Sequence, residues 1–421
     1  MSLFLVWLAL LNEAAYLNLK QKQEEIRTIE ENTKEKAEKE NNLKPKEEDT
    51  LSKTEPDGET ARIRVLLMDS GYTTYYHPSV TVVCQGEEVT YTPESPEFSE
   101  GPVVLPPQKE GIQVVSIERQ EGHPCYSGSL KIEKREEGLI LINELPVEEY
   151  LKAVVPSEMP SSYQQEALMA QAVCARTYAF KQMEEGRLLE YGADVDDSVN
   201  YQVYGNISPQ ESTTKAVSET KGEVICQNGE LIEAYYFSTS SGTTSTDEVW
   251  GAAEAASYLK SVACSFDSQE TWSRWQAEIP WSRLSEQAES YTGQSAELKD
   301  IRITKKSQSG AVIGLSVITE ETSFTVSSEY DVREFFSPEG YSVTSMEGER
   351  IPGGTLLPSA YFSMELNPGE CVRLSGRGYG HGVGMSQNGA NEMAKEGYTY
   401  REILDYFFKD IEILGAEELF A

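Results

Sequence analysis

The chain has 421 residues, 39% hydrophobic and 10% aromatic, enough for a sizeable core and roughly two to three domain-sized units. Its 70 Asp and Glu against 36 Lys and Arg give a formal charge of −34, and so acidic a surface repels phosphate backbones, which sets nucleic acid aside as a partner. Three histidines, and six cysteines with no CxxC spacing, offer no zinc-site pattern, so neither a metal nor another cofactor is expected.

Leu3 to Leu11 is a run of nine apolar residues, where a bilayer span needs about 20, with no basic residue before it and no small-residue cleavage site after it. It reads as the remnant of a membrane anchor or as a short amphipathic helix, and the next segment favours the anchor. Residues 20–60 hold 22 charged residues of mixed sign and no Phe, Tyr or Trp, too little apolar surface to offset the entropy of ordering. The expectation is an anchor remnant at 1–19, a disordered charged tether at 20–60, a β-rich front part at 61–143 and a catalytic core at 144–415.

From Arg62 onward short β-type runs appear at Ile63–Met68, Val80–Cys84, Ile112–Ile117, Leu130–Lys134 and Leu139–Asn143, punctuated by Gly, Pro, Asp and Glu. Pro146 to Leu151 opens a short helix predicted to stop before Pro156. Ser161 or Ser162 can cap a long helix in which Leu168, Ala172, Ala175, Ala179 and Met183 form one buried stripe. Strands return at Glu223–Cys226 and Leu231–Phe237, and the latter runs into a Ser/Thr-rich loop, Ser238 to Thr246. Ser282 to Tyr291 reads as a helix, Ile301–Thr304 and Ala311–Ile318 as a hairpin, and Glu370–Leu374 as a last strand before a glycine-rich loop. Two helices close the chain, the second starting with the capping box Thr399-x-x-Glu402. The sum is α+β, with short-stranded sheets and segregated helices in a single large body.

No Walker loop, GxGxxG, GxSxG or HExxH occurs, which removes nucleotide, α/β-hydrolase and zincin chemistry. Glu158 is a lone carboxylate in Val-Val-Pro-Ser-Glu-Met-Pro. Met159, preceding Pro160, is pushed out of helical geometry, and the apolar neighbours raise the pKa of a buried carboxyl toward what a general acid needs. The positive end of the following helix opposes that rise, and taken alone the residue reads first as a cap of that helix. Ser375 to Gly389 carries alternate glycines that would let a ligand approach the backbone, beside Tyr379, His381, Gln387 and Asn388; an ordinary glycine-rich turn is the competing reading. Ser238 to Gly242 offers hydroxyls for sugar binding or plain loop polarity. Cys174 paired with His381 could be written as a thiol-protease dyad, but its mid-helix place beside Val173 and Ala175 reads as packing.

Five ordered blocks resemble the stage II sporulation protein D family: NELPVEEYLKAVVPSEMP (Asn143 to Pro160), EALMAQAVCARTYAF (Glu166 to Phe180), QVYGN (Gln202 to Asn206), AYYFSTSSGTTSTDEVWG (Ala234 to Gly251) and GRGYGHGVGMSQNGANEMAKEGYTYREIL (Gly376 to Leu404). The resemblance implies a lytic transglycosylase that cuts peptidoglycan glycan strands already stripped of stem peptides. It also implies work with an amidase and the membrane scaffold of the engulfment machinery, on the extracytoplasmic face of the membrane between mother cell and forespore. It carries the catalytic role to Glu158 and substrate binding to Gln171, Arg176, Tyr235, Ser238, Ser240, Ser241, Gly242, Gly378, Gly380, His381, Gly382 and Gln387. Some relatives hold a structural zinc through His and Cys just before Gln-Val-Tyr; Asp194 to Tyr201 has neither residue, so no metal is carried over. Two other classes stay open: a non-catalytic wall-binding enhancer of an amidase, and a hydrolase pairing Glu158 with Asp196, Asp197 or Asp247.

Overall fold

The computed structural model describes residues 61–252, 254–293 and 297–419. The expected anchor remnant and tether, residues 1–60, lie outside the described residues. Within them, eight α-helices and many short strands make a mixed α+β architecture built round three apolar cores.

The first core lies under a five-stranded sheet. Its strands run in the order Val103–Leu105, Ser129–Lys134, Leu139–Pro146, Arg62–Leu67 and Val195–Asp196. Arg62–Leu67 pairs antiparallel with Leu139–Pro146 in the register Val65↔Asn143, and the buried faces of both strands meet two helices. These are α1 (Val147–Glu158) and α2 (Gln165–Glu185). Tyr150, Leu151 and Val154 of α1 and Ala172, Ala175 and Ala179 of α2 join Ile63, Val65 and Leu141 in one cluster. Each Leu, Ile or Val among them, fully withdrawn from water, contributes about 1.5–3 kcal/mol, and each Ala less.

Three local expectations are corrected here. Helix α1 does not stop before Pro156; it runs through that residue to Glu158, with Pro156 in the last turn, where the Ser157 hydroxyl bonds the Ala153 carbonyl at 2.7 Å. Helix α2 starts later than the Ser161 and Ser162 boxes suggest. Its N-cap is Gln164, and the Gln164 N–H donates to Asn391 Oδ1 at 3.0 Å, so tertiary structure sets the start. Nor is α2 buried along one stripe. Ala172, Ala175 and Ala179 face the first core, while Leu168, Val173 and Cys174 face the second. A helix held between two cores buries apolar residues on two faces, and its alanines let both neighbours come close.

The second core brings α2 against α3 (Glu211–Glu219), α6 (Gln387–Lys395) and α7 (Tyr400–Phe407), through Ala216, Ala390, Met393, Ile403, Leu404 and Phe407. The Thr399/Glu402 capping box of α7 is formed in both directions. A strand beyond α7, Glu412–Gly415, folds back to pair with Glu223–Gln227, so the two helices do not end the fold. The expected strand Leu231–Phe237 is two: Glu230–Leu231 pairs with Glu223–Gln227, and Tyr236–Phe237 pairs in parallel with Met385–Ser386. Its ends belong to different sheets, which no local pattern encodes.

The third core lies in a lobe of two sheets. Arg350–Pro352, Ser342–Ser345, Trp275–Pro280, Cys371–Gly376 and Phe362–Asn367 form one; Leu298–Lys306, Val312–Thr319 and Ser323–Ser327 form the other. Helices α4 (Trp281–Thr292) and α5 (Glu329–Phe335) pack with them around Trp275, Trp281, Phe335 and Phe336. The predicted hairpin and the Ser282 to Tyr291 helix are both present, each slightly longer than expected.

Candidate functional site

Glu158 is the last residue of α1. Met159 is extended, with φ −136° and ψ 135°, as a residue before proline must be, so the chain leaves the helix there. The carboxylate therefore sits at the negative end of its own helix rather than in a non-helical elbow near the positive end of the next. That position adds to burial instead of opposing it.

The carboxyl is held by two donors from distant parts of the chain. The Val203 N–H donates to Oε1 at 2.8 Å, and the Tyr236 hydroxyl bonds the same carboxyl. Burial pushes the Glu158 pKa up to about 7, and the two hydrogen bonds pull against that rise without cancelling it. Glu158 as a residue is only half-buried, unlike the fully buried Asp196 and Asp197.

Each donor is itself fixed. Gln202 accepts from the Tyr150 hydroxyl at 3.3 Å and donates to the Ala175 carbonyl at 3.2 Å; Tyr204 donates to Asn143 Oδ1 at 2.7 Å and stacks on Tyr126. The Val203 amide between them has little freedom. Tyr236 lies in the parallel pair with Met385–Ser386. His381 bonds its backbone and accepts from the Val383 N–H through Nδ1 at 3.1 Å. Burial and then the Arg333 charge hold the imidazole pKa down to about 3, against the upward pull of the bond to the Tyr236 backbone. A neutral ring wedged against Tyr235, Phe237 and Trp250 acts as an anchor for the strand, not as a base.

Gln387 opens α6, donating from Nε2 to the Glu158 carbonyl at 3.0 Å and to Gln171 Oε1 at 3.4 Å. Gln171 is wholly buried, so it supports Gln387 from behind. Ser386 caps α6 and donates to Asp267 Oδ2 at 2.7 Å, and the same carboxylate receives the Ser240 N–H at 2.6 Å.

The remaining expected residues fall elsewhere. Arg176 is buried and makes a two-pronged ion pair with Glu148, 2.8 Å on each arm, plus bonds to the Val217 and Glu223 carbonyls, so its donors are occupied by the fold. Ser240 is buried, its hydroxyl bonded to the Cys264 carbonyl, and Ser238 gives its carbonyl to the Asn388 N–H. Ser241 and Gly242 border a separate cleft. The alternate glycines are not openings for a ligand. A Cβ on Gly378 would stand 2.9 Å from Ser241 N and on Gly380 3.0 Å from Phe237 Cβ, because the loop packs directly on the chain from Phe237 to Ser241; on Gly382 it would stand 2.6 Å from the Tyr361 hydroxyl. Cys174 is buried with its thiol pKa pushed up, and all six cysteines are free, so no thiolate is available to pair with His381.

Of the other candidate carboxylates, Asp196 and Asp197 are closed off, while Asp247 stays half-buried. Asp196 is fully buried and bonded to Ser198 and the Tyr75 hydroxyl, and Asp197 pairs with Arg119 at 2.5 Å with both side chains out of solvent. Asp247 receives the Ala256 N–H at 3.3 Å in a short turn. Val203, Tyr236 and Asp267 were not expected: a backbone amide has no residue identity, and Tyr236 sits inside an apolar run.

Residues 135–226 match a family model described as "Stage II sporulation protein", and residues 252–384 match a domain of unknown function. The chain is 33% identical over 298 residues to stage II sporulation protein D of Bacillus subtilis (strain 168), covering 66% of this chain and 76% of that protein. It is 31% identical over 313 residues to an uncharacterized protein of Brachyspira hyodysenteriae, covering 73% and 77%. With the amidase enhancer of Bacillus subtilis it shares 32% identity over 288 residues, 61% of this chain but 39% of that longer protein.

Proposed function

The chain belongs to the stage II sporulation protein D family, and on that premise we propose that it is a lytic transglycosylase acting on peptidoglycan glycan strands stripped of stem peptides. The observation that carries this reading is the Glu158 carboxyl, held by donors from two distant segments with its pKa raised to about 7, while Asp196 and Asp197 are sealed in the core. Hydrolytic glycosidases ordinarily need two carboxyl groups about 5–9.5 Å apart. One suffices if the nucleophile belongs to the substrate.

Protonated Glu158 gives its proton to the glycosidic oxygen, and the bond from that oxygen to the muramic C1 breaks. The carboxylate so formed takes the proton of the same sugar's C6 hydroxyl, whose oxygen bonds C1 and closes a 1,6-anhydro ring. Glu158 ends protonated and no water is consumed. A group that must both give and take a proton works best with its pKa near the ambient pH. The intramolecular hydroxyl is already at hand, which lowers the entropic barrier.

Mass analysis of products from peptide-free glycan decides the matter. Termini lighter by one water support the transglycosylase, and reducing termini overturn it. The similarity to an amidase enhancer favours a second reading, in which the chain binds the wall and stimulates an amidase. Full stimulation by a Glu158→Gln variant would support that reading. Either role places the chain on the extracytoplasmic side of the membrane beside an amidase.

A further inference from the structure

The lobe built on the third core carries a cleft of about 990 Å³ that the chemistry of Glu158 does not use. In a chain of formal charge −34, its lining includes Arg274, Lys306 and Arg377 and not one Asp or Glu. All three cations are exposed, and none makes an ion pair or a side-chain hydrogen bond with another described residue. The pattern elsewhere is the opposite: on the same sheet, two residues along the strand from Ser375, Arg373 pairs with Glu278 at 2.9 Å. Between the cations, Gln276, Thr344, Ser363 and Ser375 form a row of hydroxyl and amide groups across adjacent strands, in the register Gln276↔Thr344, Gln276↔Ser375 and Ser363↔Ser375.

The cleft is tied to the Glu158 site by the chain itself. Ser241 on its rim lies five residues after Tyr236, at most about 18 Å along an extended backbone. The hairpin bearing Lys306 is pinned to the same loop, Ser309 bonding Ser245 at 2.7 Å and the Gln308 N–H reaching Glu248 at 2.8 Å.

We propose that this acid-free cleft is a subsite for a carboxylated glycan, taking the free lactyl carboxylates of muramic residues on the strand that Glu158 cleaves. The inference rests on the reading of Glu158 given above. Removing a stem peptide converts the lactyl amide to a carboxylate, so a stripped strand presents a regular series of negative charges on a polyhydroxylated backbone. Cations offer the charges a counterpart, and the polar row suits the sugar hydroxyls. In a strongly acidic protein a cationic cleft also selects the orientation in which a polyanion can approach at all.

The test measures binding to the full chain carrying Glu158→Gln, which needs no turnover, so failure of the cleavage chemistry is read separately from failure of the subsite. Peptide-free glycan should bind about tenfold tighter than the same glycan with its lactyl carboxylates converted to methylamides, and the preference should fade with salt. Adding Arg274→Gln, Lys306→Gln and Arg377→Gln together should abolish the preference and leave binding of the amidated glycan unchanged. Equal binding of the two glycans by the parent overturns the proposal, as does a preference that survives the triple change. A phosphodiester polymer that displaces the glycan more strongly than free carboxylated glycan does would reassign the cleft to phosphate.

Discussion

Replacing Glu158 by Gln should stabilise the protein at alkaline pH while removing its activity. Burial raises the carboxyl from its ordinary 4.5 to about 7. A folded-state pKa above the unfolded one means that the protonated form favours folding, and that this contribution is present below pH 4.5 and lost as pH climbs through about 7. At about 1.4 kcal/mol per pH unit the total loss is about 3 kcal/mol, most of it between about pH 5 and pH 8.5, and solvent at the exposed part of the side chain trims it toward 2. Gln cannot ionise, yet its oxygen can still accept the Val203 N–H. Asp196 and Glu233, whose pKa values burial raises to about 6 and about 7, titrate in both proteins and cancel in the difference. Urea unfolding of both proteins at the two pH values gives the number directly. The stability difference should move by about 2–3 kcal/mol in favour of Gln on going from pH 5 to pH 8.5, with glycan cleavage lost by at least a factor of about 10². A stability difference that stays flat with pH would refute a buried, high-pKa Glu158.

Tyr236→Phe removes a donor that stabilises the ionised carboxyl, so the alkaline limb of kcat/KM should move up from about 7 by about 1–2 pH units, as a hydrogen bond to a charged group implies. A limb that stays put or moves to lower pH would rule the contact out. Gly384→Ala places a Cβ 2.1 Å from the Tyr235 carbonyl at φ +81°, and should cost at least about 2 kcal/mol by thermal unfolding while displacing Tyr236 and cutting cleavage. Arg176→Met leaves Glu148 unpaired and should cost about 3 kcal/mol by urea unfolding, with kcat of the folded fraction unchanged. A collapse of kcat with stability intact would return Arg176 to the substrate.

What was legible in the sequence was what is local. The capping box at Thr399, the hairpin before Ala311 and the alanine-rich α2 are written in neighbouring residues, and Glu158 is conspicuous because it stands alone among apolar ones. What surrounds Glu158 is written nowhere nearby. The Val203 amide is a backbone group that every sequence supplies, and Tyr236 reads as one more aromatic in a strand until its pairing with Met385 is known. The glycines of 378–384 mark a close approach, and their near neighbours are other parts of the chain. Composition shows that something must come close and cannot say whether it is a ligand or the chain itself. Pro156 misled for a similar reason. Near a helix C-terminus the missing N–H disturbs a single turn, and a hydroxyl one residue on bonds a carbonyl of the same turn.

The bond from Gln387 to the Glu158 carbonyl joins residues 229 apart in sequence, and Tyr236 is held in place by a strand at Met385. Such a site cannot be assembled progressively as the chain emerges. A polypeptide in transit, still lacking its last segment, has α1 and α2 but neither the partner strand nor the helix start that completes the proton-transfer geometry. Domains fold from the N-terminus onward during synthesis, and distant pairings close last. Completion of the chain is therefore the step that assembles the Glu158 site, and fragments that lack residues 385–387 lack its support.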